Sequence, residues 1–178
     1  KALNHFIDAQ VKDPENPIHQ KNTCIQCHTN ISTSNDPICK ESGPVDCSIC
    51  HTAAVDDYDI SLHGKLRSEG NLNTPYCTDC HGKHDMKGKT DLTSPTFSRN
   101  IPELCGECHK EGAIATETYT GSDTEIVKNY SMSIHGKGLL KSGLMVTATC
   151  VDCHTNHREL PASDPLSSVN TNNIASTC

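Results

Sequence analysis

The sequence predicts a mainly α and irregular fold of short helices and long loops, with little or no β-sheet, organised around bound groups rather than a side-chain core. Three observations predict it. Across 178 residues there are two Phe, four Tyr and no Trp, and apolar residues make up 34%, below the share a globular domain normally spends on its interior. No segment shows the apolar/polar alternation of a half-buried strand. Finally, Cys-x-x-Cys-His occurs five times: Cys24 to His28, Cys47 to His51, Cys77 to His81, Cys105 to His109 and Cys150 to His154.

Two Cys three apart lie on one face of a helical turn, so both sulfurs can form thioethers to one porphyrin edge. The next residue, His, projects beneath the iron as its proximal ligand. This is the attachment sequence of haem c. With twelve Cys and eleven His in the chain, random order would give on the order of 0.05 matches. A zinc ribbon needs paired Cys knuckles but no His directly after each one, and a disulfide scaffold leaves the His unexplained. Haem therefore supplies the apolar mass that the composition lacks, and its removal is expected to unfold the chain.

A repeat underlies the motifs. Asp59 to Lys65 recurs as Ser131 to Lys137, and the motif at Cys77 with its trailing His84 recurs as the motif at Cys150 with His157. Leu92-Thr93-Ser94-Pro95 aligns with Leu166-Ser167-Ser168-Val169, and Ile101 leading to Cys105 aligns with Ile174 leading to Cys178. The offset is 72 from His63 to His135 and 73 both from Cys77 to Cys150 and from Cys105 to Cys178. The reading is of three two-haem units, a diverged one at 1–54, a second at 55–122 and a third at 123–178. In that register Cys178 opens a sixth motif, and the third unit is truncated within it. The shorter first unit is expected to act as an end cap.

The clearest helix is expected from Asp123 to about His135, with Ser122 or Asp123 as N-cap, Ile126, Tyr130 and Ile134 on one face, and Gly136 as the stop. A shorter copy runs from about Val55 to His63 and stops at Gly64. Each motif should open a short helix, and 91–102 and 161–173 read as surface loops.

Six His remain outside the motifs: His5, His19, His63, His84, His135 and His157. Six is also the number needed to give every haem, the sixth included, a second axial ligand. His63 and His135 precede a motif by 14 or 15 residues, and His84 and His157 come three residues after a motif His. A His that close to its own proximal ligand cannot easily reach the opposite porphyrin face, so His84 and His157 are expected to serve neighbouring haems. In the first unit Ile31 holds the plus-three position and His19 stands five residues before Cys24. Met86, Met132 and Met145 are out of register and read as packing residues. Cys39 belongs to no motif.

The formal charge of −7, made more negative by haem propionates, argues against nucleic acid as a partner. No stretch reaches the roughly 18 to 20 apolar residues of a membrane span. Covalent haem attachment takes place outside the cytoplasm, so a periplasmic or extracellular location is expected, with a secretory leader removed.

Tyr-x-x-Ser-x-His-Gly with Cys-x-x-Cys-His-x-x-His after it, seen from Tyr130 to His157 and more loosely from Tyr58 to His84, resembles the bis-His multihaem c-type cytochromes. That group includes octahaem cytochromes related to hydroxylamine oxidoreductase and cytochromes that form extracellular filaments. The resemblance implies closely spaced haems, in alternating stacked and crossed pairs, passing electrons between redox partner proteins or extracellular acceptors, with the chain itself as a further partner if it forms a filament. Six spare His for six motifs leave no open iron, and no Cys-x-x-Cys-Lys variant is present, so an electron carrier is expected rather than an enzyme. The alternative is the electron-transfer part of a multihaem nitrogen-compound oxidoreductase, whose catalytic haem lies beyond Cys178.

Overall fold

The computed structural model describes residues 18, 19, 21–29, 44–118 and 124–178. His5, Ile31, Cys39, Ser122 and Asp123 lie outside the described residues. Among the described residues the regular elements are all helices and there is no strand. They are α1 (Cys24–Cys27), α2 (Ser48–Ile60), α3 (Leu62–Ser68), α4 (Cys77–His81), α5 (Ile101–His109), α6 (Ile114–Thr118), α7 (Ile126–Met132), α8 (Ile134–Leu140), α9 (Cys150–His154) and α10 (Ile174–Thr177). The neighbouring pairs α2/α3 and α7/α8 pack on one another, and α5 packs against α6, α7 and α9. The buried hydrophobic side chains among the described residues are Ile101, Leu139 and Leu160, while Val146, Ile134 and Leu72 lie open. Side chains alone do not make a core of this size stable, in keeping with the composition.

The two glycines expected to stop helices do something else. Helices α2 and α7 end at Ile60 and Met132, and the chain restarts one residue later as α3 and α8, with Gly64 and Gly136 inside the new helices. Extended Ser61 and Ser133 form the break and cap α3 and α8: Ser61 Oγ accepts the Gly64 N–H at 3.0 Å and Ser133 Oγ accepts the Gly136 N–H at 3.1 Å. A side-chain cap of this kind satisfies one of the N–H groups left over at a helix start. Glycine is required because a Cβ there would collide with the carbonyl oxygen of Tyr58 or Tyr130. The same tyrosines close the loop ahead: the Tyr58 hydroxyl donates to Pro75 O at 2.8 Å and the Tyr130 hydroxyl to Ala148 O at 3.0 Å. Tyr-x-x-Ser-x-His-Gly is thus a corner that presents His63 or His135 at the start of a fresh helix.

The segments read as surface loops are strings of turns, each with one buried serine, Ser94 and Ser167 both being 1% exposed. Their hydrogen bonds also move the alignment by one residue. The Asn100 amide donates to the carbonyls of Leu92 (3.1 Å) and Ser94 (2.8 Å), and the Asn173 amide to those of Pro165 (2.8 Å) and Ser167 (2.9 Å). Asp91 accepts from the Thr93 N–H as Asp164 does from the Leu166 N–H. Leu92 therefore corresponds to Pro165 and Ser94 to Ser167. Pairing the two leucines by type is off by one, because the Asp, Ser and Asn that build these turns are the residues that hold the register. Ile101 and Ile174 correspond as expected, so Cys178 stands where Cys105 does.

Candidate haem sites

Each motif lies on a short helix or at the end of one. In α4 and α9 the residue before the last Cys is an Asp that caps its own turn: Asp79 accepts the Tyr76 N–H at 2.7 Å, and Asp152 accepts both the N–H and the hydroxyl of Thr149 at 2.7 Å. An acidic residue suits a helix N-terminus, where the backbone N–H groups concentrate positive charge. The motif at Cys105 ends α5 rather than opening a helix, with Pro102 in the first turn. The motif at Cys47 straddles the start of α2, which kinks at His51.

The attachment thiols are accessible. Cys27, Cys47, Cys77, Cys80, Cys105, Cys108, Cys150 and Cys153 are half-buried, and Cys50 and Cys178 are exposed. Cys47 lies beside Cys77, and Cys105 lies in hydrogen-bond contact with Cys150. In the thiol form burial pushes Cys47 and Cys80 up to about 11. The Cys150 contact raises Cys105 and lowers Cys150 itself. The first cysteines of consecutive motifs thus meet across the 47/77 and 105/150 junctions.

The histidines form pairs. Ring centroids are 6.1 Å apart for His28 and His84, 5.9 Å for His19 and His51, 6.0 Å for His81 and His157, and 6.1 Å for His63 and His109. An imidazole nitrogen binds a transition metal at about 2.0 Å and the centroid lies roughly 1.1 Å behind it, so two rings facing across one iron stand about 6 Å apart. Ordinary aromatic contact also covers this distance. Contact alone gives no reason for each of the four pairs to join a motif His to a non-motif His. Desolvation lowers the pKa of His63, His81, His109 and His154, favouring the neutral imidazole that a metal requires. The residues fit haem c.

The pairs also show which segments meet. His84 and His157, three residues past their own motif His, reach back to the first motif of the preceding stretch, at His28 and His81. His19 and His63 reach forward to the second motif of their own stretch, at His51 and His109. His19 is therefore the counterpart of His63 despite its different distance from the next motif. His135 and His154 present part of their surface to solvent. Neither has a ring partner among the described residues.

A backbone contact repeats with these pairs. The N–H of Ile18, just before His19, donates to Met86 O at 3.2 Å, and the N–H of Leu62, just before His63, donates to Glu159 O at 2.9 Å. The accepting residue in each case stands two places beyond the reaching His84 or His157. Nothing in residue type announces a backbone latch, and sequence reasoning missed it. It also passed over Glu159, whose carboxylate lies 3.9 Å from His63 Nδ1 and is pushed up to about 7 by burial, with Asp57 adding to the rise.

Gly82 and Thr155 come directly after their motif His with φ of 79° and 70°. A β-branched residue in the left-handed region is strained. The Thr155 hydroxyl is also buried without a hydrogen-bond partner. Met132 is 58% exposed and Met145 40% with respect to the protein's own atoms.

The doubled CXXCH motif family matches residues 69–114, the stretch holding the motifs at Cys77 and Cys105. The match supports a multihaem c-type cytochrome with an electron-transfer role. No curated protein and no solved structure matches the chain. No helix among the described residues is long and apolar enough to cross a membrane.

Proposed function

We propose that this chain is a bis-His multihaem electron carrier acting outside the cytoplasm, built from two-haem units at 1–54, 55–122 and 123–178 that complete one another's haems. The observation that carries the reading is the set of four ring pairs. On it, His28 and His84 flank the iron held through Cys24 and Cys27, and His51 and His19 flank the one held through Cys47 and Cys50. His81 and His157 flank that of Cys77 and Cys80, and His109 and His63 that of Cys105 and Cys108. Haem c supplies one-electron chemistry at iron, and imidazole on both faces leaves no position for a substrate.

What the protein does is hold ligands still. The Ser61 and Ser133 caps, the Tyr58 and Tyr130 loop ties and the Ile18 and Leu62 latches fix the elements that present histidine, which keeps rearrangement on electron arrival small. The contacts of Cys47 with Cys77 and of Cys105 with Cys150 bring attachment edges of consecutive motifs together, as a relay requires. In register His135 would serve a motif opening at Cys178, and the four pairs leave His154, beside Cys150 and Cys153, without a second imidazole among the described residues. The His19–His51 pair lies within one chain, so a head-to-tail filament through shared ligands rests on His5 alone.

A second reading rests on His154. An iron there with one imidazole is open to a small ligand, as the electron-transfer part of a nitrogen-compound oxidoreductase would need. Magnetic circular dichroism of the ferric holoprotein tests both readings. At least four low-spin bis-His haems are expected. High-spin haem in two or more sites would sink the carrier assignment, and one high-spin haem that binds nitrite or hydroxylamine would favour the second reading.

A further inference from the structure

Two sites in the repeat share a backbone latch whose accepting residue differs in type. His19 faces His51 and His63 faces His109, and in each the residue before the reaching His is latched by the carbonyl of a residue two beyond a plus-three His. That residue is Met86 in the first case and Glu159 in the second. The Glu159 carboxylate lies 3.9 Å from His63 Nδ1, and it is close enough to influence Cys105 and Cys80 electrostatically. Two of these three groups belong to the site attached at Cys105. Partners of the ring nitrogen that faces away from a metal tune the metal.

We infer that Glu159 sets the reduction potential of the haem attached at Cys105 and Cys108, holding it below that of the equivalent haem attached at Cys47 and Cys50, where Met86 occupies the same place. The inference rests on the ligand assignment proposed above. Reduction adds one electron from an external reductant and removes one positive charge from the site, with no bond made or broken. A carboxylate at this distance in a half-buried setting attracts the oxidised site more than the reduced one, so it lowers the potential. Glu159 acts through His63 and is a positioning residue. Its latch is a backbone carbonyl, which side-chain replacement leaves in place.

The test is spectroelectrochemical titration of the holoprotein at pH 8, comparing wild type with Glu159→Gln, Glu159→Met and the reciprocal Met86→Glu. Both Glu159 variants should move one midpoint upward, with the low-spin spectrum unchanged, and it should be the component that His63→Met also moves. Met86→Glu should move a different component downward. Unchanged midpoints in both Glu159 variants, or movement of a component that His63→Met leaves alone, would overturn the inference. So would loss of low-spin haem in both, since the side chain would then be structural. A wild-type protein without low-spin haem would instead refute the ligand assignment.

Discussion

The rings of His81 and His157 lie 6.0 Å apart at an interplanar angle of 27°, although one closes the motif at Cys77 and the other comes after the motif at Cys150. If they share an iron, His157→Ala converts one haem from low to high spin and leaves the others untouched. His157→Met should keep it low-spin and raise one midpoint, since thioether ligation favours ferrous iron. Visible spectra and a redox titration check both outcomes.

Each complete motif is expected to carry covalent haem. Intact mass should show one haem increment per motif, and acidic organic solvent should leave the pigment on the protein. The haems should titrate broadly at negative potentials, as bis-His ligation favours ferric iron relative to His/Met ligation.

Gly136→Ala puts a methyl group against the Tyr130 carbonyl. A clash with backbone cannot be relieved by rotating a side chain, so a loss of roughly 1–3 kcal/mol is expected in denaturant unfolding of the holoprotein. Gly64→Ala should behave the same way at Tyr58.

Thr155→Gly should do the opposite. Glycine adopts the left-handed conformation without strain, as Gly82 does at the equivalent place, and the orphaned hydroxyl is removed. A gain of about 1 kcal/mol is expected in the same assay.

Alkaline stability should report on Tyr58. Burial is the main cause pushing its phenol from 10.0 up to about 12. The folded state therefore holds this proton more tightly than the unfolded chain. Its contribution is complete below pH 10 and is lost as pH rises towards 12. The Tyr58→Phe variant should lose stability less steeply across that interval, measured by chemical denaturation at stepped pH.

The motifs and the repeat were legible because covalent chemistry allows few substitutes for Cys and His at fixed spacing. The all-helical character came from the same source. The roles of Gly64 and Gly136 were not legible, because a glycine inside a helix and one ending it look alike until the Tyr58 and Tyr130 carbonyls are in place. The turn register misled because Leu92 and Leu166 match by type, whereas Asn100 and Asn173 hold the turns by reaching backbone several residues away. Which His faces which was only half legible: spacing kept His84 and His157 off their own haems, but it could not show that His19 plays the part of His63.

The latch from Leu62 to Glu159 and the facing of His81 by His157 also have a temporal side. Haem is attached outside the cytoplasm, and the chain is exported N-terminus first, so His81 reaches the place of attachment before His157 does. On the proposed ligation, the iron beside His81 keeps one open face until the segment carrying His157 follows and closes it. Each stretch thus completes the one before it, and a chain stalled in export is marked by a haem with one open face at its trailing end.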